Sequence, residues 1–255
     1  MFETELNAKI HGVADDAVTE AARVSQRPLS KRNAGINILA VASLFTVCVL
    51  CSLTARAQTT ASADAKTAIK ETGTLTKEER GEAARYYEET RKKFLESVEG
   101  LFEQQWMFKS APDRWSVAEV AEHIALTEKM LTGLVMEKIM KSPAAPEKMS
   151  ETKGKEAIIK EKIPDRSTKA QAPEMLKPTG RWKTQADLVK DFQASRDTAI
   201  NYIMTTQDDM RAHIYSHPVL KELDAYQWML FIAAHTARHT AQINEVKADP
   251  TFPKM

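Results

Sequence analysis

Asp224-Ala-Tyr-Gln-Trp-Met-Leu-Phe-Ile-Ala-Ala-His235-Thr-Ala-Arg-His239-Thr-Ala-Gln242-Ile243-Asn-Glu-Val246 is the stretch on which the fold turns. Asp224 followed three residues later by Gln227 has the form of a helix N-cap with a reciprocating amide. Trp228, Phe231, Ile232, Ile243 and Val246 then recur at helical spacing, and Pro250 and Pro253 close the segment. His235 and His239 stand one turn apart on this apolar stripe, because side chains at i and i+4 leave a helix on the same face. Two imidazoles in an apolar stripe are costly unless each finds a partner.

Working outward, the same signature occurs three more times. Thr76-Lys-Glu-Glu79 is a capping box, and Tyr87, Phe94, Val98, Leu101 and Phe102 follow at helical spacing. Pro112, in Ser110–Trp115, breaks that helix. Ser116-Val-Ala-Glu119 opens a second helix, expected to reach about Lys141, with Val120, His123, Ile124, Leu131 and Leu134 inward. Thr184-Gln-Ala-Asp187 opens a third, with Leu188, Phe192, Ala199 and Ile203 inward. His213–Pro218 reads as loop, no strand alternation persists, and no internal repeat is present. Four long amphipathic helices predict an all-α four-helix bundle. Between helices two and three runs a connection, 142–181, with five prolines and many lysines. Its length suits a lid, a binding loop or disorder, and it would let helix three run parallel to helix two.

The chain has 255 residues, 43% hydrophobic and 28% charged, which is ordinary for a globular protein. Thirty-six basic and 35 acidic residues are interspersed, so the basic stripe of a nucleic-acid binder is missing and nucleic acid is excluded as an expected partner. Lys31 and Arg32 precede an uncharged run from Ala34 to Leu53, and Ala55-Arg-Ala57 then supplies a small-x-small site. That order is a secretory signal peptide's, with cleavage expected after Ala57 and a periplasmic or secreted product. The alternative is an uncleaved inner-membrane anchor, the one case in which the membrane becomes a partner. A lipoprotein site lacks its small residue, since Leu50 precedes Cys51 and Val47 precedes Cys48. Both cysteines lie in this run, so a cleaved chain holds no thiol. The first 30 residues are long and acidic for a leader, which fits either a downstream start or a cytoplasmic extension. The expected organisation is extension and signal segment 1–57, linker 58–75 and helical domain 76–255.

Three imidazoles carry the chemistry: His235 and His239 from one helix, His123 from another. Together they would hold one metal ion and leave a coordination position free, as in catalytic sites. The alternative is core histidines bonded to backbone or carboxylates. A zinc protease would need Glu after the first histidine, but Thr236 stands there. Gln242 could orient a ligand, and Arg238 could meet an anion, although a solvated position suits it better. Glu119, Thr127 and Glu128 flank His123, and each reads first as a cap or surface residue. His213 and His217 read as surface residues.

Trp115-Ser-Val-Ala-Glu-Val-Ala-Glu-His123, taken with the His235–Ile243 segment, resembles the DinB-like superfamily of metal-binding four-helix bundles, over Thr76 to Pro253. The resemblance implies an up-down-down-up order and a divalent ion, zinc or nickel, on His123, His235 and His239. From their places beside these histidines, Gln242, Arg238 and Thr127 are the candidate surrounding or substrate-contacting residues. Characterised members of that family include thiol-dependent S-transferases and a mycothiol-dependent maleylpyruvate isomerase, and members often form homodimers. The expectation for this chain is a metal-dependent transferase or hydrolase of unknown substrate, acting on a small molecule or thiol. A non-catalytic metal- or ligand-binding bundle is the alternative. An export signal departs from the family's usual cytoplasmic pattern and puts a cytosolic thiol co-substrate in doubt.

Overall fold

Helix α1, Lys77–Val98, begins where its capping box sets it: the Thr76 hydroxyl accepts from the Glu79 amide at 3.1 Å, and the Glu79 carboxylate accepts from the Thr76 amide at 2.8 Å. The computed structural model describes residues 74–168 and 171–254. The extension and signal segment 1–57, its Ala57 site and most of the linker lie outside the described residues. A short turn, α2 (Glu103–Trp106), leads to α3 (Val117–Gly133), which is capped reciprocally by Ser116 and Glu119. Helix α5 (Gln185–Thr205) starts on Thr184, and α6 (Ala225–Lys247) on an Asp224–Gln227 box. Removing a cap of this kind costs about 1 kcal/mol.

α3 does not continue as a regular α-helix to Lys141. Its ladder ends at Gly133 and passes into a π-helical turn, Leu134–Ile139. The wider turn keeps both Val135 and Ile139 fully buried, a re-aiming that π segments provide.

The directions of the long helices follow from which ends meet. Arg80, near the start of α1, donates to the carbonyls of Ile203 and Thr206 at the end of α5. Those two helices are therefore antiparallel. Tyr226 donates to Glu79 and Lys247 to Ser97, so α1 and α6 are parallel. Val117 and Val120 pack in one cluster with Leu188 and with Ile243 and Val246, which sets α3 parallel to α5 and antiparallel to α6. The order is up-down-down-up. In that cluster the Phe94 and Phe192 rings meet edge-on at 4.5 Å. Burying each such ring contributes about 1.5–3 kcal/mol. A second cluster, around Tyr87, Ile203, Met229 and Leu230, fills the other end of the bundle.

The described residues of the connection, 142–168 and 171–181, include 3₁₀ turns at Pro146–Glu151 and Glu174–Leu176 and a two-turn helix, α4 (Lys155–Lys162), packed on α6. Ile159 anchors α4 by complete burial. Arg211 ties it down electrostatically, donating to Glu156 at 2.6 Å, Asp224 at 2.8 Å and Glu79 at 2.5 Å.

The segment expected to be loop is a hairpin. β1 (Ile214–His217) pairs antiparallel with β2 (Lys221–Asp224), from Ile214 opposite Asp224 to His217 opposite Lys221. Four residues per strand are too few for alternation to stand out from background. What holds the hairpin is α6 itself: Trp228 Nε1 donates to the Tyr215 carbonyl at 3.0 Å, and the Ala225 amide donates to that of His213 at 2.9 Å.

Candidate metal centre

His123 sits in the second turn of α3 and is 3% exposed. His235 and His239 sit mid-way along α6, each with an edge open to solvent. Antiparallel packing of α3 on α6 brings the three rings together, with centroids 4.4 to 5.0 Å apart. One nitrogen from each ring lies within 4.8 Å of the other two. Trp115, the residue before the α3 cap, lays its indole 5.0 Å from the His123 ring and closes that side.

Outer hydrogen bonds decide which nitrogens face inward. His123 Nδ1 meets the Leu176 carbonyl at 2.9 Å. A carbonyl only accepts, so Nδ1 carries the proton and Nε2 keeps its lone pair. His239 Nδ1 meets Gln242 Oε1 at 2.8 Å, and the Arg166 guanidinium also donates to that oxygen at 3.1 Å. Because guanidinium has no acceptor, the amide oxygen is the atom at that position, and His239 Nδ1 must donate to it. Two of the three Nε2 atoms thereby keep a lone pair, that of His123 facing His235 Nε2.

Burial disfavours the charged form of each ring. It holds His123 below its ordinary range, against the pull of the Leu176 carbonyl. His235 is held well below by burial and then by the other two imidazoles. His239 is pushed down to about 3, first by burial and then by His123. All three are therefore neutral near pH 7, the state a metal requires. The Nε2 atoms of His123 and His235 stand 3.2 Å apart. Two nitrogens bound at about 2.1 Å to one tetrahedral zinc ion stand about 3.4 Å apart, so this spacing fits the span of two ligands. The donor set, its neutrality and its outer acceptors all fit a divalent ion.

Gln242 takes the orienting part open to it in the sequence. Arg238 is not a free surface cation: it donates to the carbonyls of Ile163 (3.3 Å), Asp165 and Thr168, pinning the long connection to α6. Thr127 lies buried one turn along α3 from His123, and its hydroxyl has no protein partner. Glu119 is the expected cap. Glu128 departs from expectation: it is 1% exposed and meets Arg196 at 2.8 Å. In sequence its charge suits a surface position; in the fold a buried counter-charge lies across the bundle on α5. His217 also departs. It is 8% exposed, its Nδ1 accepts the amides of Val219 and Leu220, each at 3.1 Å, and its ring packs on Phe231 at 4.5 Å. Burial pushes it down to about 4, so it stays neutral. His213 is half-buried.

Two contributors were not legible beforehand: the Leu176 carbonyl and Arg166. The first is backbone and leaves no residue-type signal. The second lies 76 residues from the Gln242 it holds. A separate open groove of about 830 Å³ between α1 and α5, lined by Leu95 and Val189 among others, shares no residue with the imidazoles.

Comparison with known proteins places these residues in context. The family model described as the DinB superfamily matches residues 86–243, a span containing all three histidines. Uncharacterized protein YuaE of Bacillus subtilis (strain 168) is 26% identical over 161 residues, covering 63% of this chain and 94% of that protein. No solved structure matches the chain.

Proposed function

This chain belongs to the DinB superfamily, and on that premise we propose that it is a metal-dependent transferase or hydrolase holding one zinc or nickel ion on His123, His235 and His239. The observation that carries the reading is the convergence of three neutral imidazoles, two of which have their outer nitrogen committed elsewhere. Such an ion, when bound, lowers the pKa of a ligated thiol or water and polarises an electrophile. The chain's own part is positional. Gln242 holds the His239 ring in one tautomer, the Leu176 carbonyl does the same for His123, and Trp115 shields one side of the cluster. A small thiol or water with a small-molecule electrophile is the expected pairing. In the same reading the helical domain, 76–255, works outside the cytoplasm after cleavage at Ala57, or tethered if the apolar run is kept.

A second reading, a bundle that binds a metal or small ligand without catalysis, is favoured by one feature. Among the described residues, no carboxylate hydrogen-bonds to any of the three imidazoles. Glu128, the buried acid of α3, is committed to Arg196. Thr236 stands where a zinc protease carries its base.

Metal analysis of untagged protein tests the shared premise. One ion per chain is expected, and it should be lost in His235→Ala and in His239→Ala; unchanged metal content in both variants removes the site. A screen of model electrophiles for thiol consumption then separates catalysis from capture.

A further inference from the structure

The long connection between α3 and α5 reaches the imidazole cluster at two points, the outer nitrogen of His123 and the Gln242 oxygen that serves the outer nitrogen of His239. Its 3₁₀ turn, Glu174–Leu176, delivers the carbonyl that fixes His123. Its earlier part delivers Arg166, which donates to Gln242 at 3.1 Å and thereby fixes the amide oxygen that orients His239. Arg166 is itself held by Glu245 through contacts of 2.6 and 2.9 Å. From the other side, α3 and α6 grip the connection. Glu122 accepts the amides of Thr179 (2.8 Å), Gly180 (2.9 Å) and Arg181 (3.3 Å). Gly180, at φ +74°, provides the left-handed turn that lets consecutive amides converge on one carboxylate. Arg238 holds the carbonyls of Ile163, Asp165 and Thr168.

From this arrangement we propose that docking of the connection and binding of the metal ion form one linked equilibrium, with Arg166 and the Leu176 carbonyl as its positioning groups. The proposal rests on the metal reading above and deepens it. With the connection lifted, His123 loses the carbonyl that fixes its tautomer, and the Gln242 amide, without Arg166, is free to turn its nitrogen toward His239, so each neutral ring can turn the wrong nitrogen inward. Outer partners of this kind are worth about 10- to 100-fold in metal affinity. Linkage is reciprocal, so whatever factor docking contributes to metal affinity, the ion returns to docking. A connection that served only as a tether would contact the helices anywhere; this one contacts the two rings' outer shell from both its halves.

The test titrates zinc alone into the full-length chain by calorimetry and compares the unsubstituted protein with Arg166→Ala, Gln242→Ala and the double variant. Each single change is expected to weaken zinc binding by about 10- to 100-fold. The double variant should be no weaker than the weaker single, because both act through one oxygen. In parallel, zinc should slow hydrogen exchange at the amides of Thr179, Gly180 and Arg181 in the unsubstituted protein, an arm that needs no variant to fold. Unaltered affinity in Arg166→Ala, or unaltered exchange on adding zinc, overturns the linkage while leaving the metal site standing. An unsubstituted chain that binds no zinc overturns both.

Discussion

Arg196 and Glu128 meet at 2.8 Å with neither side chain exposed, while three uncharged imidazoles face one another farther along the same α3–α6 seam. On α6 the two clusters touch in sequence: Thr236 serves the first and His235 the second. In the first, charges cancel. Arg196 donates to Glu128, to the Thr236 hydroxyl at 2.8 Å and to the Thr90 hydroxyl at 2.9 Å, and its guanidinium lies 4.6 Å from the Tyr87 ring centre. Opposite charges answer each other, with only Arg196 Nε and Glu128 Oε1 left without a hydrogen bond, and the cluster ties all four long helices together. In the second, donors point outward to Leu176 and Gln242, while the inward Nε2 atoms of His123 and His235 meet only each other, at 3.2 Å. Polarity in a core does not by itself mark a binding site. A site appears where unspent capacity of one kind converges, and here that capacity calls for a cation.

Removing one partner from the self-contained cluster should produce the largest change. Glu128→Ala leaves the Arg196 guanidinium buried without its counter-charge, at a cost of about 3–5 kcal/mol. Urea unfolding should read this as a lower midpoint, with zinc stoichiometry of the remaining folded protein unchanged. If metal is lost along with stability, the two clusters are not separate devices. The complementary experiment acts on the imidazoles. Zinc at a hundred times its dissociation constant should stabilise the fold by about 2.7 kcal/mol, because it binds the native state. That gain should vanish in His239→Ala. A stabilisation that persists there would move the ion to some other set of ligands.

The contrast also explains what could be read from the residues alone. Four caps, four apolar stripes and the spacing of His235 and His239 are local patterns, each complete within a few residues, and they appear as expected, with one exception. The first helix ends at Val98, ahead of Gly100 at φ +69°, so that Leu101 and Phe102 lie beyond it and Pro112 is not what breaks it. His123 was legible because an imidazole stood in an otherwise apolar stripe. Glu128 stood near that stripe too, but a carboxylate there reads as surface until its counter-charge is located, and Arg196 lies 68 residues away on α5. His217 was misplaced for a related reason: its burial depends on Trp228 and Phe231, supplied by the following helix. The long connection was visible as an anomaly of length, whereas its contacts with the rings run through a backbone carbonyl and one arginine among many basic residues. Pattern within an element was readable; partnership between elements was not.

The finest division between the clusters falls between Thr236 and His235, adjacent on α6 and turned about 100° from each other by the helix. Thr236 accepts from Arg196 and donates to the Ile232 carbonyl at 3.3 Å, with 1% of its surface exposed. Thr236→Val keeps its shape and removes the hydroxyl. The Arg196 nitrogen it served still reaches Glu128, so the loss should be about 1 kcal/mol rather than the full cost of an orphaned charge. Zinc affinity should not move, since none of the atoms that orient the imidazoles is touched. A drop in affinity after so small a change would mean that the charged knot positions the histidines, and that the two clusters work as one.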